Sequence, residues 1–123
     1  MNESQIQQAI RIALGDEPDL VLWRNTTGQT EEWNPSDGSS RTMRYGLAVG
    51  SADLVGILRA RPCGCGPVGM FFALEVKTPT GRVRPEQTAW LELVRRMGGF
   101  AAVVRSVDEA KAALERARNG ESE

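Results

Sequence analysis

Three ionisable side chains occupy positions where strand propensity disfavours them. Asp53 begins an apolar run over residues 53–58, and Glu75 and Lys77 interrupt the end of a second run over residues 70–77. Aspartate is depleted in strands, and side chains two residues apart in a strand point to the same face, so Glu75 and Lys77 share a face. Burying a lone charge costs several kcal/mol. Such groups therefore indicate pairing or metal binding.

The order of the two runs brings these side chains together. If the runs pair as an antiparallel hairpin, the start of the first lies opposite the end of the second, which places Asp53 beside Glu75 and Lys77. Two adjacent carboxylates repel each other, and a divalent cation relieves that repulsion. The alternative is an ion pair between Glu75 and Lys77 at a strand edge, with Asp53 as a solvated strand cap.

A glutamine near the start of a predicted helix is a further candidate. The helix begins near Pro85, a residue suited to the first turn. Leu91 and Val94 follow Gln87 by four and seven residues, so Gln87 falls on the apolar side that faces the sheet. An inward amide beside carboxylates suggests a role in an active site. The alternative is a glutamine in water at the helix start.

Composition limits the chemistry further. The 123 residues are 41% hydrophobic and 25% charged, which suits one globular domain. The chain contains no histidine, which excludes histidine bases and histidine-ligated zinc. Cys63 and Cys65 lie among glycines and prolines that predict a tight turn, with a zinc ion shared across a dimer as the alternative. A metal held by carboxylates and carbonyls favours Mg²⁺ or Mn²⁺.

Charge is distributed unevenly along the chain. Residues 1–40 carry two basic and seven acidic side chains, residues 41–105 ten and four, and residues 106–123 three and five. A basic middle section suits a phosphate-binding surface, unless the fold mixes the signs. No apolar run approaches the roughly 20 residues that span a bilayer, and the first residues lack the features of a secretory signal. We expect a cytoplasmic protein with no membrane partner.

Hydrophobic periodicity predicts the elements. They are, in order, a helix over 3–14, strands over 20–23, 53–58 and 70–77, a helix from 85 to about 97, a strand over 100–104 and a helix from 107 to 118. The strand–helix–strand unit over 70–104 requires a crossover between parallel strands. Residues 26–44 form a long loop or a loose hairpin. The fold class is α/β, a small mixed β-sheet flanked by helices, in one domain over 1–118 with a charged, frayed tail over 119–123.

The ordered residues resemble a known family. Asp53 followed by Glu75-Val76-Lys77 on a hairpin resembles the D…E-x-K signature of the PD-(D/E)XK nuclease superfamily. Nearly the whole chain resembles its VRR-NUC (virus-type replication-repair nuclease) family, through Glu3, Arg24-Asn25, Gly50-Ser51-Ala52-Asp53, Gln87 and Val103-Val104-Arg105-Ser106. The chain departs from the pattern at Ala52, where the superfamily name has proline, and at Arg84-Pro85, where members often carry serine.

The resemblance implies a restriction-endonuclease-like core and an Mg²⁺- or Mn²⁺-dependent endodeoxyribonuclease. Asp53, Glu75 and the Val76 carbonyl would hold the ion, with Glu3 completing its ligands directly or through water. Lys77 would orient the attacking water and stabilise developing negative charge. Gln87 would position the water, the lysine or the phosphate.

The resemblance also implies a substrate and an assembly. Stand-alone members resemble four-way junction resolvases that act on branched DNA as homodimers, here in a bacterial or phage-infected cell. The alternatives are a flap or single-strand endonuclease and a non-catalytic nucleic-acid-binding module. Candidates for phosphate contacts are Arg41, Arg44, Arg82, Arg84, Arg95 and Arg96, although Arg95 and Arg96 also suit a helix C-terminus.

Two aromatic residues flank the long loop. Trp33 and Tyr45 could stack on unpaired bases. We expect them instead to pack against the domain. Trp90 lies among the core positions of its helix, and we expect it to be buried.

Overall fold

A computed structural model describes residues 1–60 and 66–123. The segment containing Cys63 and Cys65 lies outside the described residues, so the turn and the shared zinc ion stay predictions. The elements are, in order, α1 (Glu3–Leu14), β1 (Leu20–Arg24), β2 (Gly28–Trp33), β3 (Ser40–Tyr45), β4 (Leu54–Ala60), β5 (Val68–Val76), α2 (Pro85–Arg96), β6 (Phe100–Val104) and α3 (Val107–Arg118).

A four-stranded mixed sheet forms the centre of the molecule, in the order β1-β4-β5-β6. The pairs β1–β4 and β4–β5 are antiparallel, whereas β5 and β6 are parallel, with α2 as the crossover between them. The predicted hairpin, the crossover and the small mixed sheet flanked by helices are confirmed.

Residues 28–45 contain a separate antiparallel hairpin of β2 and β3. Of the two alternatives for this stretch, the hairpin is therefore right and the structureless loop is wrong. Its strands contain no buried residue. An isolated two-stranded hairpin has little stability of its own, so we regard it as an arm that projects from the central sheet.

Helices cover both faces of the central sheet. One face packs against α1 and α3, where the four-residue spacing of Ile6, Ile10 and Leu14 places all three side chains in the core. The opposite face packs against α2 through Leu91 and Val94. Among the described residues, no helix is both long enough and apolar enough to cross a membrane.

Side chains cap α1 and α3. Asn2 and Gln5 exchange two backbone-to-side-chain hydrogen bonds at the start of α1, of 2.8 and 2.9 Å. At α3, Ser106 Oγ accepts from the Glu109 N–H as its N-cap position predicts. The Glu109 carboxylate accepts from the Arg105 N–H at 3.2 Å. Both caps fix where the helices begin.

Residues of the acidic tail contact β6 and α2. The Ser122 carbonyl accepts a hydrogen bond of 3.0 Å from the Ala101 N–H. The Glu123 carboxylate lies 3.3 Å from the Arg95 guanidinium. Because β6 is an edge strand, these contacts cover part of its otherwise open edge. The frayed tail over residues 119–123 stays a prediction.

Gly56 marks the closest approach of β1 to β4. A Cβ atom at this position would overlap the Val21 carbonyl oxygen and lie 2.9 Å from its carbon. We expect Gly56→Ala to lower the free energy of unfolding by about 1–3 kcal/mol, since the backbone of one strand has to shift. Urea unfolding followed by circular dichroism measures this loss.

The matched control for Gly56→Ala is Gly69→Ala on β5. At Gly69 the nearest atom to an added Cβ is a methyl carbon of Ile57, at 3.0 Å, so a side chain rather than the backbone has to shift. Equal stabilities for the two variants would contradict the close approach.

Candidate active site

The hairpin of β4 and β5 brings the first two carboxylates together. Leu54 pairs with Leu74, so Asp53 and Glu75 lie side by side just beyond that pair. Asp53 Oδ2 accepts a hydrogen bond of 2.9 Å from the Val76 N–H. This contact fixes Asp53 across the end of β5. The juxtaposition inferred from strand order is thus present.

A third carboxylate joins Asp53 and Glu75 from α1. Glu3 is the first residue of α1. One carboxylate oxygen from each of Glu3, Asp53 and Glu75 lies within 4.8 Å of the other two. The start of α1, the residue before β4 and the end of β5 therefore converge on a single carboxylate cluster, as a site for one cation requires.

Glu75 is the buried member of this cluster, with 1% of its surface exposed. Its Oε1 atom accepts from Gln87 Nε2 at 3.1 Å and lies 3.7 Å from Lys77 Nζ. Its Oε2 atom is also buried and has no hydrogen-bond partner among the described residues. Burial, together with the nearby Asp53 and Glu3 carboxylates, raises the pKa of Glu75 to about 8, although Lys77 opposes this rise.

The donor set fits a hard divalent cation. Carboxylate oxygens are the ligands that such ions prefer. A buried oxygen without a partner is uncommon in folded proteins and calls for an explanation such as an ion. Of the predicted alternative, the ion pair between Glu75 and Lys77 is present, at 3.7 Å, but both side chains are buried rather than exposed at a strand edge. Asp53 is half-buried and accepts from the Val76 N–H, so it is not a solvated cap.

Gln87 and Lys77 are held firmly in the site. Gln87 is 6% exposed, and its Oε1 atom accepts from the Arg84 N–H while its amide nitrogen donates to Glu75. The alternative of a glutamine in water is therefore wrong. The Lys77 N–H donates to the Val104 carbonyl, which extends the β5–β6 pairing by one residue. Its side chain is 9% exposed.

Asn25 organises the segment before Asp53. Its side-chain amide donates to Ser51 Oγ and to the Ala52 carbonyl, each at 2.8 Å. Its N–H donates to the Asp53 carbonyl at 2.7 Å. Asn25 belongs to the Arg24-Asn25 pair of the family resemblance, which implies no role for it. A polar residue directly after a predicted apolar strand was the signal that could have indicated a role.

The six candidate arginines divide into two groups. Arg44 and the neighbouring pair Arg82 and Arg84 are exposed at the base of the hairpin and before α2. Arg105 donates to the Thr78 and Gly81 carbonyls and so fixes the segment that carries that pair.

The remaining three are not brought to the carboxylate cluster. Arg41 pairs with Glu32 across the hairpin at 2.8 Å. Arg95 and Arg96 end α2, about 12 Å along the helix from Gln87. Arg95 donates to the Ala101 carbonyl and contacts the tail, so it makes structural contacts at the end of α2. DNA contacts by these three stay predictions.

The predicted packing of the hairpin aromatics is wrong. Trp33 is 67% exposed and Tyr45 is 51% exposed. Trp90, in contrast, is partly buried and meets Phe71 edge to face with ring centroids 6.1 Å apart. The hairpin thus presents open aromatic surface.

The fold and the cluster define a class of protein. A mixed sheet flanked by helices, with Asp53 and Glu75-Val76-Lys77 at one end of a hairpin, is the PD-(D/E)XK-type nuclease fold. The VRR-NUC domain matches residues 2–108 of the 123, and the chain belongs to this family. It is accordingly a nuclease that acts on DNA. Comparison with curated proteins gives no match.

Proposed function

We propose that this protein is a divalent-metal-dependent DNA endonuclease that hydrolyses phosphodiester bonds with Mg²⁺ or Mn²⁺. The observation that carries this proposal is the carboxylate cluster, in which a buried Glu75 oxygen has no partner among the described residues. Asp53, Glu75 and the Val76 carbonyl would hold the ion, and Glu3 would complete its ligands directly or through water. When bound, the cation neutralises charge on the scissile phosphate and lowers the pKa of water.

Lys77 supplies the positive charge beside the cluster. Its ammonium is compact and nearly buried, so its interactions act in a low dielectric. In our proposal it donates to the attacking water and to the oxygen on which negative charge develops.

Gln87 acts through Glu75. Its amide is bonded on both sides, to the Glu75 carboxylate and to the Arg84 backbone. We therefore assign it to orienting Glu75 rather than to contacting the water or the phosphate directly. This role differs from the three that the resemblance implied, which were to position the water, the lysine or the phosphate.

The proposed substrate is branched DNA, with a four-way junction cut by a homodimer. An uncovered apolar row supports a second copy as the partner. Val21, Ile57 and Phe71 are cross-strand neighbours on β1, β4 and β5, and they are 51%, 46% and 38% exposed. In the sheet order β1 is an edge strand, and a two-fold axis beside it would join two such rows into one interface.

We expect Ile57→Lys to convert a wild-type dimer into a monomer, because it places a charge in the centre of that row. Sedimentation velocity over a range of protein concentrations measures the change. The control is Ala112→Lys, which adds the same charge at an exposed position on α3. A monomeric wild type, or an Ile57→Lys dimer as stable as the wild-type dimer, would exclude this interface.

The experiment for the substrate compares end-labelled four-way junction, 5′-flap and plain duplex DNA with Mg²⁺, Mn²⁺ or EDTA. Our proposal predicts metal-dependent, symmetric nicks confined to the junction. Preferential cutting at the flap would replace the resolvase with a flap endonuclease. Tight binding without cutting in either metal would identify a non-catalytic nucleic-acid-binding module.

A further inference from the structure

A groove lies between the β2–β3 hairpin and the start of α2. It has a volume of about 740 Å³, within the roughly 300–1,000 Å³ of typical small-molecule sites. We call it the hairpin groove. Its walls are the base of the hairpin, the segment 46–50, the residue just before α2 and one residue in the first turn of α2. The charged and aromatic side chains that line it are Arg44, Tyr45, Arg84 and Glu86.

Tyr45 lies on the groove in a position that a glycine makes possible. Gly28 is its cross-strand partner. A Cβ atom on Gly28 would overlap the Tyr45 hydroxyl and lie 2.6 Å from Cζ, so the phenol end of the ring lies against the bare glycine backbone. Half of the tyrosine remains exposed. The result is a supported aromatic surface open to the groove, on which a base can stack.

The charged residues of the groove suit a nucleic-acid backbone. Arg44 reaches it from the hairpin, and Arg84 reaches it from the position just before α2. Glu86 lies on the same wall, 3.5 Å from Arg84, and both side chains are well exposed. Exposed pairs of this kind contribute little, so Arg84 can exchange Glu86 for a phosphate. The two arginines and Glu86 together give the groove a net charge of +1.

The groove adjoins the carboxylate cluster. A Cβ atom on Gly50 would lie 2.7 Å from the Glu86 carbonyl carbon and 3.2 Å from the Gln87 nitrogen, so the segment 46–50 packs directly on α2. Glu86 precedes Gln87 by one residue, and Gly50 precedes Asp53 by three residues. A strand with its scissile phosphate at the cluster would therefore have a neighbouring nucleotide at the groove.

We propose that the hairpin groove binds an unpaired nucleotide beside the scissile phosphate, with its base on Tyr45 and its flanking phosphates at Arg44 and Arg84. A paired base is stacked within the duplex, whereas an unpaired base has a free face for the tyrosine. This inference rests on the proposed nuclease function. It adds to the proposed branched substrate one requirement, that the nucleotide next to the cleavage position is unpaired at the branch point.

The test compares two end-labelled substrates that differ only in the bases of a splayed, unpaired arm. One arm carries normal nucleotides and the other carries abasic nucleotides with the same phosphates. Stacking of a base on an aromatic side chain contributes about 1–3 kcal/mol. We therefore expect wild-type kcat/KM to favour the normal arm by about 5- to 150-fold.

Three variants separate stacking from support of the hairpin. Tyr45→Phe keeps the aromatic face and should retain the preference, whereas Tyr45→Leu still covers Gly28 but should cut both substrates with the same kcat/KM. Trp33→Leu is the control, since Trp33 is exposed at the far end of β2 and outside the groove lining. A preference in Tyr45→Leu equal to that of the wild type would overturn the inference and leave the nuclease in place.

A second readout does not depend on cutting. A single-stranded oligonucleotide containing 2-aminopurine, added in EDTA, should lose fluorescence on binding to the wild type and to Tyr45→Phe, but not to Tyr45→Leu. If the wild type cuts no DNA in any metal, the proposed function fails, and this fluorescence alone decides the inference. Equal quenching by all three proteins would overturn it.

Discussion

Replacing Lys77 by alanine is expected to slow DNA cleavage by at least about 100-fold, the effect of removing a donor aimed at developing negative charge. The ammonium lies beside Glu75 in a nearly dry environment, where its charge is poorly screened. Binding of DNA should change little, because the exposed arginines make the proposed contacts with the phosphates. The melting temperature should also change little. Without a cation, Glu75 holds a proton at neutral pH, since its pKa is about 8, and loss of Lys77 leaves no unpaired charge.

Single-turnover cleavage of a labelled junction measures the cleavage rate of Lys77→Ala. Fluorescence anisotropy in EDTA measures its DNA binding. The control is Lys111→Ala, which removes an exposed lysine from α3. If Lys77→Ala cuts as fast as Lys111→Ala, Lys77 has no part in the chemistry.

Replacing Glu75 by glutamine is expected to abolish cleavage and to stabilise the metal-free protein at alkaline pH. The ordinary pKa of a glutamate is near 4.5, whereas that of Glu75 in the folded protein is about 8. Between these values the folded state binds more protons than the unfolded state, so the free energy of unfolding falls as pH rises. Above pH 8 the buried charge is fully present, and the neutral glutamine avoids it.

Urea unfolding in EDTA at pH 5, 7 and 9 tests this dependence of the free energy of unfolding on pH. We expect Glu75→Gln to match the wild type near pH 5 and to exceed its free energy of unfolding by about 1–3 kcal/mol at pH 9. Addition of Mn²⁺ should stabilise the wild type and leave the variant unchanged. Glu92→Gln, an exposed change on α2, is the control. A constant difference between Glu75→Gln and wild type across the three pH values would contradict a buried carboxyl with a raised pKa.

The central sheet was predictable because its signals are local. Apolar runs bounded by turn residues identify the strands, and a strand–helix–strand unit leaves little choice of topology. The proximity of Asp53 and Glu75 followed from one assumption, an antiparallel hairpin, because that pairing places the start of one strand beside the end of the next. The inward position of Gln87 followed from helix periodicity.

Other parts of the site depend on how distant elements pack. Glu3 reaches the cluster only because the start of α1, on the opposite layer, comes close to the end of β5. Helix periodicity gives the buried face of α1 but not the direction of its axis. The exposure of Tyr45 was predicted incorrectly. An aromatic residue beside a loop is ordinarily buried, and its support by Gly28 depends on a cross-strand register that a polar hairpin does not reveal.

The central claim is that the cluster of Glu3, Asp53 and Glu75 holds a divalent cation on which DNA cleavage depends. The most direct test is cleavage of an end-labelled four-way junction by wild type and by Asp53→Asn, each with Mn²⁺ and with EDTA. We predict cut strands only for the wild type with Mn²⁺. Cutting in EDTA, or cutting by Asp53→Asn at the wild-type rate, would contradict the claim.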